Sequence, residues 1–293
     1  MCTSGPQSGP LQSRSGITRS LERGLLLLDA VAQNSHGLTS TGLAQLVGLE
    51  KPTAIRLLRT LSNSDYVCQD REKRYFLTAK MLRLAHRSLD ATPVAAIARP
   101  YLTALRDSTA ETVHLAVLER DHVVYIDKLA SSQPIQLVSR LGASSPITTT
   151  ALGKAICATL PHDELEELLD HASFETLTPR SLTTKGDLLD EIAATVARGY
   201  AVDNGENEAG VICVSVAIPD PQRVMATPAA ISISGPDFRM VKDLPHLGSL
   251  CEQTATRIAA ALGLTETHRS ESASPNGPGR GGRQPLVPFA GYM

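Results

Sequence analysis

A chain of 293 residues, 42% of them hydrophobic, is long enough to bury two ordinary cores. It holds no Trp and only 3% aromatic residues, which argues against the stacking platforms that grip single-stranded nucleic acid. The formal charge of −2 is uneven: residues 14–90 carry 12 Lys and Arg against 7 Asp and Glu, and residues 91–270 carry 14 against 22, so only the N-terminal part suits a polyanion.

Residues 1–16 are rich in Ser, Gly, Pro and Gln and lack the apolar core of a signal peptide. They are expected to be disordered, and the protein cytoplasmic. A helix is predicted over 17–33, with Leu21, Leu25, Leu28 and Val31 as its inner stripe. From Thr39 to Tyr75 the pattern reads as a winged helix-turn-helix. Thr39 suits the N-cap of a short helix carrying Leu43, Ala44 and Val47; Gly48 breaks it and Leu49 plugs the turn. Pro52 then sits in the first turn of a second helix, where its missing N–H costs little. Ile55, Leu58 and Leu61 are expected to face inward. Thr53, Arg56 and Arg59 share another face, with Lys51 at the entry. Arg and Thr at the exposed start of a short helix suit the major groove, where Arg reads guanine. A basic hairpin with Lys73 and Arg74 follows as a wing. The candidate contacts to duplex DNA are Thr39, Lys51, Thr53, Arg56, Arg59, Lys73 and Arg74; an αα-hairpin with a solvated basic face is the plainer alternative.

Further helices are predicted over 79–89 and from Thr92-Pro93 to about Thr109. At Glu111 the period changes to two. Val113, Leu115 and Val117 alternate with His114, Ala116 and Leu118, and V-V-Y-I-D-K makes a second strand. Helices near 152–160, 161–171 and 184–198 precede strands at 211–218 and 224–234, which are joined across P-D-P-Q. A last helix spans about 245–262, and the Ser-, Pro- and Gly-rich run beyond Arg269 is expected to be disordered. Five cysteines, Cys2, Cys68, Cys157, Cys213 and Cys251, form no C-x-x-C pair, which points to reduced thiols and no cysteine zinc site. The longest apolar runs, such as 25–28, are too short to span a bilayer.

The blocks S-L-E-R-G-L-L-L-L-D-A-V, L-A-Q-L-V-G-L-E-K-P-T-A-I-R-L-L-R-T-L, A-R-P-Y-L, E-T-V-H-L-A-V-L, V-V-Y-I-D-K, T-A-L-G-K-A, R-G-Y-A-V-D-N-G-E-N-E-A-G-V-I-C-V-S-V-A-I and A-I-S-I-S-G-P follow in one order. Over about residues 17–263 the chain resembles the IclR-type transcriptional regulators. The resemblance implies an α/β (α+β) protein: a disordered segment 1–16, a winged helix-turn-helix over 17–78, linker helices over 79–110, a GAF-like effector domain over 111–263, and a disordered tail 264–293. It also implies a homodimer or dimer of dimers on double-stranded operator DNA. A small organic acid or aromatic metabolite would control it, with no cofactor, no metal and no membrane partner. Repression is the expected outcome and activation the alternative.

By the same resemblance the effector would lie among Ala151, Leu152, Gly153, Lys154, Asp203, Cys213, Ser232 and Ser234. Backbone N–H groups of 151–153 would seat an anion at a helix start. An ionised Asp203 would offer acceptors only. Ser232 and Ser234, two apart on a strand, share one face, and Ile231 and Ile233 the other.

Several residues keep two readings. Lys154 either holds a ligand carboxylate or pairs with an acid. Cys213 reads better as a packed thiol than as a nucleophile, and His114 as a lining or structural residue than as a metal ligand. The Asp203, Asn204, Glu206 and Glu208 cluster lacks the spacing of a calcium loop. An enzyme using Cys213 or Ser234 with His114 as base is the competing class, though no nucleophile elbow supports it. Four departures from the family pattern stand out. Gly42 replaces a common Glu, so the capping box with Thr39 is lost. Glu50 precedes Lys51, and Ser64-Asp65 precedes Tyr66. Ala151 and Leu152 make the effector loop more apolar, which argues against a very small, highly polar effector.

Overall fold

The computed structural model describes residues 18–90, 94–137 and 139–264. Contacts divide the chain into two units, Met1–Ala96 and Ile97–Met293. The expected disordered segments and the Thr92-Pro93 helix start lie outside the described residues. Leu264 is the exception: it is buried and its N–H bonds Ala259 O, so it belongs to the fold and not to the tail.

The first unit holds α1 (Arg19–Gln33), β1 (Leu38–Thr39), α2 (Ser40–Val47), α3 (Lys51–Asn63), β2 (Val67–Gln69), β3 (Arg74–Leu77) and α4 (Ala79–Asp90). Its strands form a small antiparallel sheet in the order β1-β3-β2. The core joins Leu27, Leu28, Val31, Leu43, Ala54, Leu58, Val67 and Tyr75. This corrects the expected phase of α1. Leu21 and Leu25 are 63% and 51% exposed, while Gly24, Leu27, Leu28 and Val31 face inward. Four consecutive leucines leave the helix's rotation open, and packing against α2 and α3 selects the pair that fills the space. In α3 the expected Leu58 is fully buried and Leu61 packs half-buried against the core, while Ala54 is fully buried beside them and Ile55 only half-buried.

Thr39 caps α2 by accepting a hydrogen bond from Gly42 N at 3.3 Å, even without a Glu at that position. Gly48 then turns the chain at φ +69°, and Leu49 N–H reaches back to Ala44 O, which places Leu49 against the core.

The second unit is a six-stranded antiparallel sheet in the order β6-β5-β4-β9-β8-β7: β4 (Thr112–Glu119), β5 (His122–Leu129), β6 (Ser144–Pro146), β7 (Ala201–Asn204), β8 (Val211–Ala217) and β9 (Ala229–Pro236). The short outer strands β6 and β7 carry little periodicity and escape sequence reading. Helices α6 (Ala151–Cys157), α7 (His162–His171) and α8 (Lys185–Arg198) share one core with Ala116, Val123, Ala201, Ala217 and Ala230 from the sheet. Helix α10 (Leu244–Ala261) packs on β8 and β9, where Cys251 Sγ lies 3.5 Å from Ile231 O. Helix α5 (Val94–Thr109) is tied to β5 by the Arg99–Asp127 ion pair, and Tyr101 lies beneath Arg257 of α10. A short helix α9 (Asp237–Met240) and one 3₁₀ turn join β9 to α10.

The strand alternation determines what faces α6. Ser232 and Ser234 line a cavity on that side, opposite the fully buried Ile231 and Ile233. A bulge in β5 adds an irregularity. Ala116 pairs with Tyr125 and His114 with Lys128, so Tyr125 and Lys128, three apart, share the cavity face. Strict alternation would have put them on opposite faces.

Candidate functional site

In the first unit, Lys51, Arg56 and Arg59 of α3 are exposed, and none forms an ion pair with a described residue. Thr53, one turn away on the same face as Arg56, is half-buried. Cross-strand pairing sets Thr39 beside Arg74, although 35 positions separate them.

The basic hairpin of the wing is closed by its own acids. Asp70 Oδ1 accepts from the Glu72 and Arg74 N–H groups at 2.9 and 2.8 Å, and Lys73 takes φ +62° to close the hairpin. Arg74 then donates to Asp70 Oδ2 at 3.1 Å and to Glu72 Oε2 at 2.8 Å. Its hydrogen bonds to Arg74, backbone first, hold the Asp70 carboxyl below the usual range. Two carboxylates thus occupy the guanidinium expected to contact phosphate. Arg74 braces the hairpin, and the exposed cations at the tip are Lys73 and Arg71. Arg71 is marked in the sequence only by the charge run in which it stands.

The second unit holds a cavity of about 270 Å³ between the β4-β9-β8-β7 face and the start of α6. Ala151, Leu152, Asp203, Cys213, Ser232 and Ser234 line it, so six of the eight expected residues from four chain segments converge there. The other two do not reach it. The Gly153 N–H donates to Thr150 Oγ1, the N-cap of α6, at 3.1 Å. A Cβ on Gly153 would sit 2.3 Å from Ile147 Cα, so this glycine permits backbone contact and does not seat an anion. Lys154 is fully buried and its Nζ lies 2.6 Å from Glu206 Oε2, which decides its two readings in favour of pairing with an acid. Buried unpaired, that ammonium would cost several kcal/mol.

Asp203 Oδ1 accepts from Glu206 N at 2.7 Å and, more weakly, from Asn207 N at 3.4 Å. Burial nevertheless pushes its carboxyl up to about 7, so near neutral pH it is partly protonated and able to donate, unlike the acceptor-only group expected. Burial likewise pushes the Cys213 thiol well above its usual value, with Asp203 adding to the effect. His114 is lowered to about 3, first by burial and then by the Lys128 charge, and is therefore neutral. Its Nε2 is 2.7 Å from Ser139 Oγ, and its Nδ1 faces Ser232 and Ser234 Oγ at 3.4 and 3.5 Å. Sequence reading missed Tyr125, Ser139, Arg140 and Asn207 on the wall, because they come from a bulged strand and from loops. Among the described residues no group of three or more His, Cys, Asp or Glu could hold a metal ion, and no helix is long and apolar enough to cross a membrane.

A winged helix with an exposed basic face, in one chain with an α/β unit that holds a cavity of mixed polar and apolar lining, defines the class of ligand-responsive DNA-binding regulators. Two family models match: the IclR helix-turn-helix domain over residues 20–71 and the bacterial transcriptional regulator IclR C-terminal domain over residues 86–260. The chain is 33% identical over 250 residues to the HTH-type transcriptional regulator XynR of Escherichia coli, covering 84% of this chain and 98% of that relative. It is 32% identical to the acetate operon repressor of Salmonella typhimurium, covering 85% and 92%. Among solved structures, the Thermotoga maritima IclR aligns with TM-score 0.67 and 30% identity, covering 84% of this chain and 99% of that one. An IclR homologue from Microbacterium hydrocarbonoxydans, complexed with 4-hydroxybenzoate, shares the fold at TM-score 0.71 and 20% identity, covering 84% and 100%. The chain belongs to the IclR family of transcriptional regulators. It joins a helix-turn-helix DNA-binding domain to a C-terminal effector-binding domain.

Proposed function

We propose that the chain is a homodimeric cytoplasmic repressor whose operator affinity is set by a small organic acid or aromatic metabolite bound in the 270 Å³ cavity. The convergence of Asp203, Cys213, Ser232 and Ser234 on that cavity carries the reading. A space of this size takes many water-sized groups and so admits a small organic molecule. The relative holding 4-hydroxybenzoate supports a ligand of this size class. Residues 17–78 act as the reader, 79–110 as the linker helices and 111–263 as the effector domain.

Lys51, Arg56 and Arg59 are the principal DNA contacts, with Thr39 and Thr53 beside them and Lys73 on phosphate. One such helix covers one half-site, and two half-sites lie about 34–36 Å apart, so a pair of readers is needed. The cavity binds without turnover. Burial keeps the Cys213 thiol protonated and lowers His114 to about 3, so the imidazole that faces Ser234 is too weak a base to activate either side chain.

An effector can shift operator affinity only by favouring one arrangement of the two readers. The test is operator titration with and without an effector found by thermal-shift screening of the full chain. Ser234→Ala combined with Asp203→Asn should keep ligand-free operator binding and lose the effector response. Asn keeps the acceptor for Glu206 N, so the fold is spared. A full response in the double variant would place the effector elsewhere.

A further inference from the structure

The cavity distributes its charge unevenly. Its floor offers the neutral hydroxyls of Ser232 and Ser234 and the thiol of Cys213. Its rim carries two exposed side chains of formal charge, Arg140 and Glu208, neither ion-paired with another described residue. The expected anion seat at α6 is weakened, because the Gly153 N–H and the Lys154 ammonium are both engaged.

Arg140, by contrast, is presented by a built turn. Ala143 N–H bonds the Arg140 carbonyl at 3.2 Å, with Gly142 at φ +77° in the third position, as a type II turn requires. On its far side Gly142 N–H reaches Tyr125 O at 2.8 Å, and Tyr125 N–H reaches Ala143 O at 3.0 Å. On its near side Lys128 Nζ donates to the Leu137 and Ser139 carbonyls at 3.0 and 2.9 Å. Ser139 Oγ is itself held by His114. The backbone on either side of Arg140 is therefore fastened to β4 and β5, while among the described residues its guanidinium has no ion-pair partner. A guanidinium fork matches a carboxylate in two parallel hydrogen bonds.

Resting on the reading of this cavity as the effector site, we infer that Arg140 is its anion anchor and specificity residue, taking the carboxylate of a hydroxy- or oxo-acid whose polar far end meets Ser232 and Ser234. The ligand lies along the cavity, with its carboxylate at the rim and its body past Tyr125 and Leu152. Glu208 shares the rim and disfavours a second negative charge there. The ligand is a monoanion.

The test uses the full chain and a panel of small aliphatic and aromatic hydroxy- and oxo-acids, each beside its carboxamide. Calorimetry gives the affinity of the parent, Arg140→Gln, Arg140→Lys, Glu208→Gln and Ser234→Ala. The parent should bind one or more acids better than the matching carboxamides. Arg140→Gln should lose that preference, weakening the acid on the order of ten- to a hundred-fold, as for one charge-assisted pair, and leaving the carboxamide unchanged. Arg140→Lys should recover part of it, and Glu208→Gln should tighten the acid. If Arg140→Gln keeps the preference while Ser234→Ala weakens every ligand, the cavity remains the effector site and Arg140 is not its anchor. If ligands bind and neither variant matters, the cavity reading itself fails. If neither acid nor carboxamide binds the parent, the monoanion class is overturned.

Discussion

Asp203 is the residue on which burial has its clearest consequence. Its carboxyl, ordinarily near 3.8, is pushed up to about 7 in the fold by burial, against the opposing hydrogen bond from Glu206 N. The folded state therefore holds the Asp203 proton more firmly than the unfolded chain does. Its contribution to stability is complete below about pH 4 and is lost as pH rises towards 7. His114 runs the other way. Its folded value of about 3 lies below its ordinary 6.5, so its contribution is complete above 6.5 and is lost as pH falls. Comparing the parent with Asp203→Asn isolates the first effect, since His114 is common to both. Urea unfolding at about pH 4.5 and about pH 7.5 should show Asp203→Asn gaining on the parent at the higher pH. Parallel stabilities at both pH values would mean that the carboxyl is ionised throughout.

At the scale of elements, α6 shows how little of a buried helix follows from periodicity. All seven of its residues are buried, Lys154 included, so no face is marked as outer. It can lie flat on the sheet only because Gly153 lets it touch the Ile147 backbone. Gly153→Ala would drive a methyl group into main-chain atoms that cannot rotate aside. The expected loss is roughly 3 kcal/mol, the upper end of the usual overpacking range, read as a lower urea midpoint. An unchanged midpoint would show that α6 can lift from Ile147 at no cost. The Lys154–Glu206 pair ties the same helix to the loop after β7, whose Glu206 N–H in turn holds Asp203 on the cavity wall.

For the whole molecule, the basic first unit and the acidic second divide the labour of binding. Arg56→Ala should cost roughly 1–3 kcal/mol of operator affinity and relax specificity at one base position. Lys73→Ala should instead weaken all sequences alike and reduce the slope of affinity against salt by about one phosphate contact. Gel-shift titrations over a range of salt separate the two. Equal losses on operator and random duplex for Arg56→Ala would remove it from the base-reading set. Arg74→Ala is expected to loosen the hairpin that it braces between Asp70 and Glu72, which amide exchange in β2 and β3 would report.

The sequence by itself determined the order of the long helices and of the inner strands, though not the short β6 and β7, as well as the reader's turn at Gly48 and Leu49 and the shared face of Ser232 and Ser234. These follow from local rules: a left-handed turn, a helix cap, a strand's period of two. It also determined the family, because many short blocks fall in one order. Tertiary structure alone decided the rotation of α1, where four adjacent leucines satisfy the helix equally well and only the facing helices select Leu27 and Leu28. It decided that Lys154 pairs with Glu206, that Arg74 is spent within its own hairpin, and that a bulge brings Tyr125 and Lys128 to one face. It alone placed Arg140 at the rim of the cavity. Each of these depends on which distant charge or backbone atom arrives beside the residue, and spacing along a chain does not encode that.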